Sequence, residues 1–255
     1  MLTHPVDTGH TLFEVGDLEQ DPPEPAVRPW LEPLRTVVTW AREYLCHPHP
    51  QLGRAGNVCP YAAVSLDRSA FYLAVCPGRT HPPASLERRL LVYRDWFPGL
   101  SRQHGADARL TTILLALPDL RDEDLPEVVD ATQARLKSQY VRHGLMLGEF
   151  HAGPPAKPGL WNESFRPLRC PVPLLVIRHM VPTDFMFLRD DPEHLRAYLD
   201  RFGHQVPTGL HAAVRTAARR FGLPLPGAGD RPPRPAIPPV DHVPALDTAG
   251  GTGGH

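Results

Sequence analysis

The stretch Leu110–Leu117, LTTILLAL, is where the fold is read from. Apolar and β-branched residues run unbroken to Pro118, which has no N–H to offer a strand ladder, so this is the clearest strand in the chain. Upstream, Ser85 caps a helix running to about Phe97, with Leu86, Leu90, Leu91 and Phe97 on one side. Before it, Ala70–Val75 (AFYLAV) reads as another strand. Downstream, Asp124 starts a long helix with Pro126 in its first turn, a box-like Glu127, and Gly144 at its end. Leu125, Val128, Val129, Thr132, Leu136 and Tyr140 share a face of it. Strands follow at Leu145–Phe150 (LMLGEF) and Leu174–Met180.

Further out, Trp30–Cys46 carries apolar residues at helical spacing, and a short helix fits Tyr61–Leu66. Two more helices are marked by Asp191–Pro192 with Gly203, and by Thr208 with Gly222. This order predicts an α+β fold: a mixed or antiparallel sheet of about four strands with helices packed on one face. The inner β-α-β-α-β-β run is compatible with a ferredoxin-like variant.

The chain has 255 residues, 42% hydrophobic and 22% charged, and a formal charge of −1. Such a balance argues against a nucleic-acid partner, which calls for a basic excess. Its apolar runs are too short to span a bilayer, no basic amphipathic helix suggests a membrane surface, and no secretory signal opens the chain. Four cysteines do not make a disulfide scaffold, so a cytoplasmic protein is expected. Of 27 basic residues only Lys137 and Lys157 are lysine, which we read as codon bias. The 32 prolines are uneven. Residues 223–255 hold eight of them and a GGTGG run, and read as a disordered Pro/Gly-rich tail. Residues 1–27 also read as mostly disordered, leaving 28–222 as a single domain.

Two loops are longer than the usual 4–6 residues: His47–Pro60, of 14, and His151–Pro173, of 23. Both contain aromatic, Arg, His and Cys residues, and we expect them to build a site. In the first, Cys59 precedes Pro60, a pairing used where a thiolate ligates haem iron; Cys59 is the candidate metal ligand. Arg54, between Gly53 and Gly56, would hold a haem propionate or another carboxylate. Alternatives are a buried small thiol at Cys59, and zinc held by Cys46, His47, His49 and Cys59, whose spacing fits no usual zinc site. A Cys46–Cys59 disulfide is disfavoured in an intracellular chain.

In the second loop, His151 follows a strand directly, a rigid place for acid–base work. Cys170 should lie near it if the last two strands pair, which raises a Cys–His dyad. Trp161, Asn162 and Arg166 are candidate substrate-binding residues, and Phe165 looks like a packing or recognition group. In the last strand Arg178 and His179 must point to opposite faces. Arg178 either pairs with Asp184 or serves as a catalytic pocket cation for an anionic substrate.

The segments GRAGNVCPY (53–61), GLMLGEFH (144–151) and CPVPLLVIRHMVPTDFMFL (170–188) resemble an uncharacterised actinobacterial family. Its motifs are GRxGxVCP(F/Y), GLMxGxFH and PVPLLxIRxM, and the likeness spans about residues 30–203. The resemblance implies a single domain of unknown function, often encoded near specialised-metabolite genes, and brings no catalytic residue with it. The helix–loop–Cys-Pro start is also similar to the haem-dependent guanidine N-oxygenases. That family has Pro-Cys where this chain has Cys59-Pro60, and its C-terminal His/Arg-rich run has no counterpart here.

Three functions are therefore expected to compete. The first is a haem-dependent, Cys59-ligated oxidoreductase acting on a small metabolite, with His151 and Arg178 in its pocket. The second is a cofactor-free or non-haem-metal tailoring enzyme centred on His151. The third is a non-catalytic small-molecule-binding or accessory protein whose long loops cover an anionic ligand. A homodimer through an exposed sheet face would be compatible with each.

Overall fold

The computed structural model describes residues 1–157 and 162–225. The expected tail beyond residue 225 and the expected contact Trp161 lie outside the described residues.

Four strands form the central sheet: β3 (Phe71–Val75), β4 (Thr112–Ala116), β5 (Leu145–Phe150) and β6 (Leu174–His179). Their order is β3-β4-β6-β5. β3 and β4 are parallel, and β6 runs antiparallel to both β4 and β5. The fold is α+β with a mixed sheet, as the sequence predicts. The ferredoxin-like wiring is not adopted. That fold splits its β-α-β unit with an intervening strand, whereas β3 and β4 here are direct neighbours, joined by the 21-residue crossover helix α3 (Pro83–Gln103).

Strand alternation divides the core. Tyr72, Ile113, Leu115, Leu147 and Ile177 face α3 and α4 (Ala131–Arg142), meeting Leu90, Tyr93, Phe97, Leu136 and Tyr140. Phe71, Leu73, Leu114, Leu174 and Val176 face the other way, toward α1 (Leu31–Trp40) and its Leu34, Val37 and Val38. The expected layer of helices on one face is thus present, and α1 covers the second face too. The bare sheet face that would have seated a homodimer is covered. A third cluster joins the short helix α5 (Phe185–Leu188), α6 (Pro192–Phe202) and α7 (His211–Arg220) around Phe185, Leu195 and Tyr198. The short α2 (Ala62–Asp67) follows the first long loop. No helix among the described residues is long and apolar enough to cross a membrane.

Residues 1–27, expected to be mostly disordered, are part of the fold. β1 (Leu2–Thr3) and β2 (Thr11–Leu12) form a hairpin, and Phe13 exchanges two backbone hydrogen bonds with Leu73 at the β3 edge, of 2.7 and 2.8 Å. Leu12, Phe13, Leu18 and Val27 are all buried. Four apolar residues at irregular spacing show no periodicity, yet each finds the core individually.

Two helices depart from simple α geometry at one end. α1 passes into a wider π turn over Ala41–Leu45, where the Cys46 N–H reaches back five residues to the Ala41 carbonyl at 3.1 Å. A second π turn, Pro126–Asp130, leads into α4, so the helix predicted from Asp124 is composite. α3 runs on through Pro98, past the expected end at Phe97, because Leu100 and Ser101 both reach buried positions.

Candidate functional site

The two long loops meet. His49 of the first stacks on Phe165 of the second, with ring centroids 4.5 Å apart and planes 14° from parallel. The stack closes one side of a cleft of about 720 Å³ on the α1 side of the sheet, a volume typical of small-molecule sites. Its floor is aromatic. Trp40 and Tyr44, one helical turn apart across the start of the π turn, stack at 6.0 Å. Tyr44 meets His49 edge-on at 5.9 Å, and Trp40 meets Phe150 edge-on, also at 5.9 Å. These rings make a continuous arc from the end of β5 to the second loop. Burial pushes the Tyr44 phenol up, and the nearby Arg169 charge opposes the shift.

The opposite wall is the second loop: Ala152–Pro154, Ser164–Arg166 and Arg169–Pro171. Arg169 donates from Nε to the Ala152 carbonyl at 2.8 Å, and its own carbonyl accepts from Trp40 Nε1 at 3.0 Å. Arg166 donates from one terminal nitrogen to the carbonyls of Glu163 and Phe165. Each guanidinium keeps N–H groups beyond these bonds. No carboxylate lines this cleft among the described residues. A neighbouring hollow beyond Trp40 and Tyr44 is lined by Glu32 and Glu43 together with Arg35.

Each residue singled out in the sequence has a definite place. Asn162 closes the turn of the second loop: its side-chain oxygen accepts from the Ser164 N–H at 3.0 Å, and it does not line the cleft. Arg166 does line it. His151 is buried, 2% exposed, behind the wall. Its Nδ1 accepts from the Gly153 N–H at 3.2 Å, so the neutral ring carries its proton on Nε2, 2.9 Å from Asp130 Oδ1. Both nitrogens are engaged, and the ring acts on the cleft through Gly153. Cys170 is indeed beside it, its N–H bonded to the His151 carbonyl at 3.0 Å. Burial pushes that thiol up to about 12, and no hydrogen bond joins it to the imidazole, so the Cys–His dyad does not form.

Arg178 and His179 take opposite faces. Arg178 is bound bidentately by the buried Asp184, both distances 2.7 Å, which is the structural pair weighed from the sequence. It lies within electrostatic reach of Cys59 and Tyr61, on no wall of the cleft. In the first loop, Gly53 and Gly56 take left-handed conformations with φ of 71° and 86°. They turn the chain so that Arg54 donates to the carbonyls of its own Ala55, Asn57 and Val58. Arg54 is therefore a clamp on its loop.

Cys59 is partly exposed and packs against the α1-side cluster. Neither it nor Arg54 lines the cleft, so a thiolate and a propionate partner do not fit a haem placed there. The zinc set does not converge either. His47 Nδ1 bonds the Arg42 carbonyl, His49 Nδ1 accepts from the Gln51 N–H, and no group of three metal-ligating side chains comes together among the described residues.

Sequence reasoning missed Trp40, Tyr44, Arg169 and Asp130. Trp40 and Tyr44 carry a signal, aromatic residues at i and i+4 just before a long loop, which is equally the signal of core packing. Arg169 stands out in no way among 25 arginines.

No curated protein and no solved structure matches the chain significantly. A family model does match, over residues 34–213, and its description is "Domain of unknown function (DUF6875)". That span holds most of α1, the four-stranded sheet and both loops, and the chain belongs to this family.

Proposed function

We propose that this protein binds a small planar organic anion, an aromatic carboxylate, in the cleft between its two long loops. One observation carries the reading: Arg166 and Arg169 line the same cleft as an aromatic arc, and no carboxylate lines it among the described residues. Guanidinium forks suit a carboxylate, and aromatic walls suit a flat apolar body. The expectation of an anionic small molecule is kept, with Arg166 and Arg169 in the recognising role that was assigned to Arg178 and Arg54. Binding without turnover is the reading preferred, since His151, the residue expected to do acid–base work, lies behind the wall with both nitrogens committed.

The test is calorimetric titration with benzoate and indole-3-acetate, using benzamide as the neutral control. Binding of the acids and not the amide is expected, with affinity falling at least about tenfold, or 1.4 kcal/mol, in Arg166→Gln or Arg169→Gln. Equal binding of amide and acid would overturn the proposal, as would unchanged affinity in both variants. So would a Soret band formed with haemin and lost in Cys59→Ala, which would restore the haem-dependent oxidoreductase acting in specialised metabolism.

A further inference from the structure

The first long loop is closed at its base by two backbone hydrogen bonds. Val58 donates to the His47 carbonyl at 2.8 Å and Cys59 to the Leu45 carbonyl at 2.9 Å. The carbonyls on either side of Cys46 are thus taken by Cys59 and the residue before it. Pro48 and Asn57 continue the pairing as an antiparallel bridge one step further along the loop. Residues facing each other across such a pair have the backbone separation that a disulfide spans. Both thiols are free and partly exposed, both pack against the same apolar cluster, and each lies within electrostatic reach of the other. The remaining cysteines, Cys76 and Cys170, are buried.

We propose that Cys46 and Cys59 form a reversible disulfide that ties the base of the loop carrying His49 and Gln51, one wall of the cleft. The oxidant required is a low-molecular-weight disulfide. One of the two thiolates attacks a sulfur of that reagent, forming a mixed disulfide and releasing one thiolate. The second protein thiolate attacks the mixed disulfide at the protein sulfur and releases the other. Two protein thiols are oxidised by two electrons, one reagent disulfide is reduced to two thiols, and the two protons pass to the released thiolates. The loop pairing already holds the partners together, so bond formation requires no opening of the fold. A Cys-to-Cys ring of this size restricts the unfolded chain appreciably.

The proposal does not rest on the ligand reading and is tested without ligand. The full chain is incubated with oxidised glutathione, alkylated under native conditions, digested and mapped by mass spectrometry. A single cross-linked peptide pair joining Cys46 to Cys59 is expected, reversed by dithiothreitol, with the melting temperature raised by several degrees in the oxidised protein. Cys46→Ser and Cys59→Ser, each checked by circular dichroism for a retained fold, should each stop at a glutathione adduct on the remaining cysteine. Glutathione adducts on both residues of the unmutated chain with no cross-link would overturn it. So would a cross-link involving Cys76 or Cys170, or two thiols that stay fully alkylatable in the oxidising buffer.

Discussion

The imidazole of His151 touches two parts of the chain at once. Nδ1 holds the backbone of Gly153 in the cleft wall, and Nε2 reaches Asp130 at the entry to α4. Removing the ring takes away two part-buried hydrogen bonds, to the Gly153 N–H and the Asp130 carboxylate, at about 0.5–1.5 kcal/mol each and so about 1–3 kcal/mol together. His151→Ala should therefore lower the denaturation midpoint by that amount, and also weaken ligand binding in the cleft by moving Gly153. Asp130→Asn keeps an acceptor facing Nε2 and should cost markedly less. Urea unfolding of the two variants checks the order; equal losses would mean that a neutral acceptor cannot replace the Asp130 carboxylate opposite Nε2. The sequence places His151 well, at the end of a strand, and suggests catalysis. What it could not show is the partner, 21 positions away in a π turn. The Arg178–Asp184 pair was more legible, because its two residues are only six positions apart and an apolar strand leaves its arginine few acceptors.

Among the elements, the four strands lie where their apolar runs place them, since a run bounded by Pro or Gly has little freedom to shift. The π turns were not legible. Each is one extra residue in a helix, set by what the helix must deliver: Tyr44 to the cleft, Asp130 to His151. The continuation of α3 past Pro98 has a titratable neighbour on β6. Ser101 Oγ lies 3.0 Å from His179 Nε2, and Phe97 meets the same ring edge-on at 4.9 Å. Burial, helped by the charge of Arg201, holds the pKa of His179 down to about 4. The folded state then takes up this proton less readily than the unfolded chain does. The contribution is complete above the ordinary histidine pKa near 6.5 and is lost as pH falls from there toward 4. Its size is of the order of 2–3 kcal/mol. His81 and His194 are lowered by burial as well and add to the same slope. Unfolding free energies at pH 7.5 and 4.5 should differ clearly in the native chain and by less in His179→Gln. An unaltered difference in that variant would assign the acid sensitivity to the other two histidines.

Taken as a whole molecule, the outline in the sequence was correct in class and incomplete in extent. Helices, strands and the two unusual loops were visible, because hydrophobic periodicity and proline punctuation are local properties. The meeting of the loops was not, since His49 and Phe165 are brought together only by strand pairing between distant segments. Nor was the ordered N-terminal segment, whose anchors are single residues. The strand order has a consequence for how the chain is made. β6 lies between β4 and β5 but leaves the ribosome after both. Until it arrives, the flanks of β4 and β5 that it will occupy are unpaired and apolar, a state open to wrong partners. A chain stopped at Pro171 should accordingly show no cooperative thermal transition and should aggregate, although it contains both walls of the cleft; a sharp transition in that fragment would disprove the dependence. During synthesis the nascent chain must wait through the whole second loop with its sheet unfinished, so the long loop sets a delay as well as a wall.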